Sequence, residues 1–543
     1  MLAALLVGCG GGPTVNPFGT GGTGGSTSTS GASSTTAGPP PSADDTGTDT
    51  GVDEPTDSTG PGIQFDLGPV PDPPPPTMPS CDTVGRLESV GLCDVAAKVD
   101  HFDAVVQWSW AGFQDQVHVS ASPLVANLTD DNDDGVIDLC DTPDVVVLAW
   151  ADIGTPANLH LLDGQTGAVH WSSSLPLAHF DSPALGDLDG DGLPEIVASN
   201  AQGFLFAFEH DGTPKWMSNA PWIHINVGAL AIADLDNDDR PEIIAGNQVF
   251  DHQGQLLWTA TTTSPLQSAV TAADLDGDGD LEVVLGHAAL DHDGAPVWTT
   301  NVAPGFPHVA DLDGDGLPEV LVTNQDGVAL IEHDGIVTYQ GQLFLPTPAG
   351  STAWRRPGSI NDFDADGLPE LALVAGSRLG VVSPVGDQLW FAGVQDQSGV
   401  AGVSSFDFFG DGSAEVVYAD ELSARVYDSQ GGVLFSIPRL SRTGNEIPVI
   451  ADVDGDGSAE LIVISDELAD DPTLPGPPPV RVISEVQDRW VPARRIWNQH
   501  AYHVTHVRED GTIPRFELPS WEHGNSFRSN AQSESSVICE PEG

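Results

Sequence analysis

An acidic nonapeptide recurs eight times between Asp130 and Glu460, and its regular return restricts the fold more than any other property of the chain. The clearest copy is DLDGDGLPE, Asp187 to Glu195. The others begin at Asp130 (DDNDDGVID), Asp234 (DLDNDDRPE), Asp274 (DLDGDGDLE), Asp311 (DLDGDGLPE), Asp362 (DFDADGLPE), Asp407 (DFFGDGSAE) and Asp452 (DVDGDGSAE). Start-to-start spacings run 57, 47, 40, 37, 51, 45 and 45 residues. A period of that size means a solenoid or a propeller. Acids at positions 1, 3, 5 and 9, with glycine usually at 6, let one tight loop aim several carboxylates at a hard cation. Ca²⁺ takes six to eight such oxygens.

The sequence between loops reads as short strands. In the second repeat, small residues from Ser182 to Gly186 lead into the loop, and Glu195 to Ala198 follows as a buried-strand pattern. Phe204 to Phe208 is a third strand, Asp211-Gly212 a turn, and a fourth strand carries Trp216. The turn and tryptophan return at Asp163-Gly164 with Trp171, Gln253-Gly254 with Trp258, Asp293-Gly294 with Trp298, and Gly386-Asp387 with Trp390. His333-Asp334-Gly335 keeps the turn and loses the tryptophan. These rings read as packing between repeats, not as a ligand cage. No helical period runs through the repeats. Radially arranged four-stranded units make an all-β propeller, with eight blades expected from eight loops and seven as the alternative. Strands near Val105 to Trp110 and Arg481 to Ser484 are expected to complete one blade from both ends of the chain.

The ends differ in kind. Residues 10–80 are dominated by Gly, Ser, Thr, Pro and Asp, which bury too little apolar surface to offset ordering entropy, so a disordered tether is expected. Before it, the apolar run ending Leu6-Val7-Gly8-Cys9 resembles a bacterial lipobox, which implies a lipoprotein signal over 1–9 and lipidation of Cys9. Residues 81–100 read as a short lead-in, 101–510 as the propeller, and 511–543 as a tail packing on it. Cys81, Cys93, Cys140 and Cys539 are an even set that suggests two disulfides in an exported protein, with three pairings open. Net charge is −63, from 80 acids against 17 bases. Such a chain repels phosphate backbones, so no nucleic-acid partner is expected. Crowded acids of this number call for metal.

DLDGDGLPEIV and its copies resemble the FG-GAP, or VCBS, repeats of integrin-α-like β-propellers over about residues 100–490. The resemblance implies Ca²⁺ held by side chains at positions 1, 3, 5 and 9 and a backbone carbonyl at 7. Carried over, the second loop uses Asp187, Asp189, Asp191, Glu195 and the carbonyl of Leu193, and the first uses Asp130, Asn132, Asp134 and Asp138. The remaining sets are Asp234, Asp236, Asp238 and Glu242; Asp274, Asp276, Asp278 and Glu282; and Asp311, Asp313, Asp315 and Glu319. Then come Asp362, Asp364, Asp366 and Glu370; Asp407, Asp411 and Glu415; and Asp452, Asp454, Asp456 and Glu460. Up to eight ions are implied. Phe409 replaces an acid in the seventh loop, so that site is expected to be weak or empty, and Asp239 stands where the third loop's turn glycine belongs.

No hydrolase, zinc-protease, CxxC or phosphate-loop signature occurs, so no catalytic residue is assigned. The expectation is a non-catalytic adhesion module for an extracellular glycan or protein, tied to the outer membrane or cell surface only by its lipid. The alternative is a calcium-dependent polysaccharide lyase resembling eight-bladed rhamnogalacturonan lyases. A base-rich segment after the repeats supplies a candidate ligand cluster: Arg494, Arg495, Trp497, Asn498, His500 and Tyr502.

Overall fold

Short runs of small and β-branched residues, separated by Asp-Gly turns, pair locally into hairpins. In the second repeat, Ala184–Gly186, Glu195–Ser199, Phe204–Phe208 and Pro214–Pro221 form one antiparallel sheet in chain order. The acidic loop joins its first two strands. Innermost strands are three to six residues long, and in the third and fourth repeats read Ala-Ile-Ala and Thr-Ala-Ala, buried throughout. Outermost strands alternate half-buried and exposed positions, as along Leu256–Thr259. That gradient is what a radial sheet requires: crowded at the axis, wet at the rim.

The computed structural model describes residues 101–533 except 153, 224–227, 262–268, 347–355, 397–400, 443 and 467–475. The expected tether, Cys9, Cys81, Cys93 and Cys539 lie outside the described residues. Eight sheets follow one another in the described chain, seven with four strands and one with five, so the eight-bladed reading holds. Apolar cores lie between neighbouring blades. One joins Ala184, Val197 and Leu205 of the second blade to Ile232, Ile243 and Phe250 of the third.

The eighth blade is made from both ends of the ring. Ala104–Trp110 pairs with Val480–Glu485 as its outer strand, beside Glu460–Ile464 and Val449–Ala451, as the sequence indicates. The tryptophans act as expected. Trp171, Trp216, Trp258 and Trp298 each donate Nε1–H to a carbonyl of the next blade's turn at 2.8–3.0 Å. Each also covers that turn's glycine: a Cβ on Gly254, whose φ is +75°, would stand 2.6 Å from the Trp216 ring. Trp108 closes the ring in the same way, donating to the Gly164 carbonyl at 2.6 Å.

The strands end at Glu485, ahead of the boundary at 510 expected from sequence. The chain from 490 to 533 then runs across the innermost strands and satisfies their free edges. Val125 and Trp497 exchange backbone bonds of 2.9 Å, and the Leu185 amide donates to the Asn498 carbonyl at 2.9 Å. Further round, Ile232 N–H donates to Gln499 Oε1, Asp311 N–H to Asn525 Oδ1, Ile360 N–H to the Phe527 carbonyl and Ser405 N–H to the Arg528 carbonyl. Asn530 Nδ2–H donates to the Ile450 carbonyl at 2.8 Å. One segment thus bonds to seven of the eight blades. Buried edge groups left unpaired would each cost about 1–3 kcal/mol, so this plug is part of the fold. No helix among the described residues is long and apolar enough to cross a membrane.

Candidate metal centre

Each acidic loop is first shaped by its own backbone. The first-position aspartate accepts from the amide at position 6: Asp187 Oδ2 from Gly192 at 3.0 Å, Asp311 Oδ2 from Gly316 at 3.0 Å, and Asp362 Oδ2 from Gly367 at 2.8 Å. The position-6 residue has positive φ, which favours glycine; Asp239 in the third loop accepts it at +67° and bonds Asp234 all the same. The ninth-position glutamate is buried, and one of its oxygens accepts the amide at position 2. Glu242, Glu282, Glu319, Glu370 and Glu460 do so at 2.6–3.0 Å.

These bonds consume one oxygen of each glutamate and leave the other turned towards the loop. Glu319 Oε1 and Glu460 Oε1 are buried with no hydrogen-bond partner. One oxygen from each of Asp274, Asp276 and Glu282 lies within 4.8 Å of the others, and the same is true of Asp234, Asp236 and Asp238, and of Asp311, Asp313 and Asp315. Convergent, partly orphaned carboxylate oxygens fit a hard divalent cation. The electrostatics agree. Burial, reinforced by the neighbouring aspartates, pushes Glu242, Glu282 and Glu319 up to about 8 and Glu370 up to about 7. Carboxylates this reluctant to ionise alone need a positive partner to be charged at neutral pH.

Three loops depart from the pattern. In the seventh, Phe409 packs edge-on against Phe102 at 5.9 Å, in an aromatic cluster with Phe408 and Trp490. Burial and then Asp407 hold Glu415 well above the carboxylate range. In the second, Lys215 Nζ lies 2.6 Å from Asp189 Oδ2, 2.7 Å from Glu195 Oε1 and 3.2 Å from Glu209 Oε2. Burial, opposed by Lys215, still pushes Glu195 up to about 7.

The first loop is longer. Ala126 pairs with Asp144, where the second blade pairs Gly186 with Glu195, so Asp144 starts the second strand and bonds the Leu128 amide. Within the excursion, Asp130, Asn132 and Asp134 bond as positions 1, 3 and 5: Gly135 N–H donates to Asp130 Oδ2, Asp134 N–H to Asn132 Oδ1 and Val136 N–H to Asp134 Oδ1. Asp138 does not take the closing role. The amides of Asp131 and Asn132 donate to buried Asp141 Oδ1 at 3.0 and 3.2 Å, and Asp138 N–H donates to its Oδ2. Asp141 was legible: D-x-N-x-D-G followed by an acid at position 12 is the spacing of an EF-hand loop. Cys140, beside it, is disulfide-bonded, with its partner outside the described residues.

The base-rich cluster is placed inside the plug. Trp497, Asn498, His500 and Tyr502 are fully buried, and Trp497 stacks on Tyr502 at 4.4 Å. Arg494 is spent on Glu509, Tyr502 and the Val504 and Val507 carbonyls, and Arg495 donates to the Leu139 carbonyl. His503 bonds Glu517 and His506 bonds Asn498. All of the cluster but the half-buried Arg495 are buried, and these side chains bond within the plug and to the inner strands.

Elsewhere a cleft of about 760 Å³ opens between the first and second blades, at the ends of the strands away from the acidic loops. Its lining includes His179, Phe180, Asp181, Gln202, Trp222 and Ile223. Phe180 and Ile223 are exposed, and both Asp181 oxygens are tied, to Gly228 N–H at 3.0 Å and Ser199 Oγ–H at 2.6 Å.

Residues 187–245 and 311–390 match the FG-GAP-like repeat. The chain carries FG-GAP-like repeats. The biofilm matrix protein Bap1 of V. cholerae has a similar structure, with a TM-score of 0.68 and 24% identity over 80% of this chain and 99% of that one. The rhamnogalacturonan lyases YesW and YesX align at 17% and 14% identity, each over 81% of this chain and 83% of theirs, with TM-scores of 0.46 and 0.48. At these identities the Bap1 likeness speaks to the fold, and the lyase likenesses carry no argument. No curated protein matches the chain in sequence.

Proposed function

We propose that this propeller is a calcium-stabilised, non-catalytic binding module of the bacterial envelope, exported, anchored through a lipid on Cys9, and recognising an extracellular glycan or protein. The observation that carries the binding reading is the cleft between the first two blades. It is large enough for a few sugar rings or a peptide turn, and it is lined by the exposed Phe180 and Ile223 and by His179, around one carboxylate already engaged on both oxygens. Aromatic faces with few polar groups suit stacking against a sugar or an apolar side chain. Asp181 is buried and bonded to Gly228 N–H and Ser199 Oγ–H, which holds it as part of the cleft wall. Extracellular calcium sites of this kind bind at about 10⁻⁴–10⁻³ M, so loops with open carboxylate oxygens would be filled outside a cell. The Cys140 disulfide supports an oxidising compartment.

A glycan array, followed by titration of the best hit, tests the reading. Binding that falls at least tenfold in Phe180→Ala and Ile223→Ala supports it. Unsaturated products appearing by ultraviolet absorbance when the calcium-loaded protein meets pectic polysaccharides would overturn it in favour of the lyase.

A further inference from the structure

The best copy of the acidic motif brings one oxygen each of Asp187, Asp189 and Glu195 within 4.8 Å of one another, but an ammonium already stands between two of these residues. We propose that the loop Asp187–Glu195 is closed by Lys215 in place of Ca²⁺, a base at this strand position keeping the cation out of the loop.

The ammonium nitrogen lies 2.6 Å from Asp189 Oδ2 and 2.7 Å from Glu195 Oε1, the third-position acid and the free oxygen of the ninth-position acid. An ion bound to those two oxygens at about 2.3–2.6 Å would overlap the nitrogen, and like charge would oppose it as well. Lys215 reaches the loop because its strand bulges. The register slips between Pro214 and Trp216, so Lys215, one residue before the packing tryptophan, turns towards the loop. The same slip recurs before Trp258, Trp298 and Trp390. There the bulged residues are Leu257, Val297 and Leu389, which bring no charge to compete with an ion. In the fifth blade Thr338 bonds Glu332, and Glu319 Oε1 is left buried without a partner. The chain has only two lysines, so one at this bulge is not a by-product of a basic surface.

The first blade carries a base at the equivalent place. His170 Nε2 lies 3.2 Å from Asp144 Oδ1 and 3.7 Å from Asp163 Oδ2. In both blades that flank the cleft, the residue bulged before the tryptophan is therefore a base that reaches buried carboxylates. On the binding reading above, the cleft stays assembled when calcium is withdrawn while other blades loosen.

Bound Ca²⁺ per full-length chain, counted by equilibrium dialysis and elemental analysis, tests this directly. Lys215→Leu, which installs the third blade's residue, is expected to gain one ion over wild type. Lys215→Leu with Glu195→Gln loses that gain. Asp189→Asn, made with Lys215 intact, leaves the wild-type count unchanged, and it decides the matter if the lysine variant fails to fold. An unchanged count in folded Lys215→Leu, or one ion lost in Asp189→Asn, overturns the inference. A wild-type chain that binds no ion sinks the calcium reading instead, and an ion gained by Lys215→Leu even then would leave the role of Lys215 standing.

Discussion

The acidic rim and the axial plug hold the same ring by opposite means. A rim loop is made within nine residues: Asp311 folds back on Gly316, and Glu319 bonds the amide of Leu312. The plug makes its bonds across hundreds of residues, as between Val125 and Trp497 or Ile360 and Phe527. The rim repeats, and one copy accommodates Phe409 where the others place an acid or Asn132. The plug occurs once, and each of its contacts differs from the next. Local, redundant structure spreads risk, whereas a single non-local segment concentrates it.

The largest effect is therefore expected from removing the plug. A chain ending at Asp488 keeps every blade strand but exposes the inner edges, and it should fail to give a monomeric folded species by size-exclusion chromatography and circular dichroism. A well-folded product would show that the rim suffices. Next comes removal of metal. At ten times Kd each filled loop adds about 1.4 kcal/mol, so several loops together add several kcal/mol, and EDTA should lower the unfolding temperature by many degrees. Unchanged calorimetry would break the calcium half of the comparison.

The EDTA-treated protein should also show a pH dependence of definite sign. The ninth-position glutamates Glu242, Glu282 and Glu319 are raised from an ordinary 4.5 to about 8. The unfolded chain releases those protons first. Stability of the metal-free form should then fall as pH rises from about 4.5 to about 8, by linkage. Saturating calcium should flatten that slope, read from urea midpoints.

Within the plug, Trp497→Ala should cost about 3–5 kcal/mol, because a fully buried ring stacked on Tyr502 leaves a large cavity. Within the rim, Glu319→Gln should cost only about 1–2 kcal/mol and release one ion, since the amide can still accept from Leu312. If the rim variant proved the costlier, the contrast between redundant and unique structure would fail.

Much of this was legible beforehand. Eight loops gave eight blades, the tryptophans proved to be packing, and the Val105–Trp110 strand closes the ring with Arg481–Ser484. Each depends on contacts of fixed sequence offset, which a repeat displays many times over. Lys215 and Asp144 were not found, because a bulge and an insertion set which side chain meets which loop, and neither changes the motif itself. Asp141 could have been found by extending the first loop's spacing to position 12.

What the sequence determined by itself was the unit: a four-stranded sheet, an acidic turn and a tryptophan for the next blade, all fixed by short-range periodicity. Only the tertiary structure decided how the units close and how their charge is balanced. It buried the base-rich segment at the axis, where unpaired strand edges needed partners, and it set an ammonium, an aromatic ring or open carboxylate oxygens against loops of nearly the same sequence. Those outcomes depend on neighbours distant along the chain, and no local pattern records them.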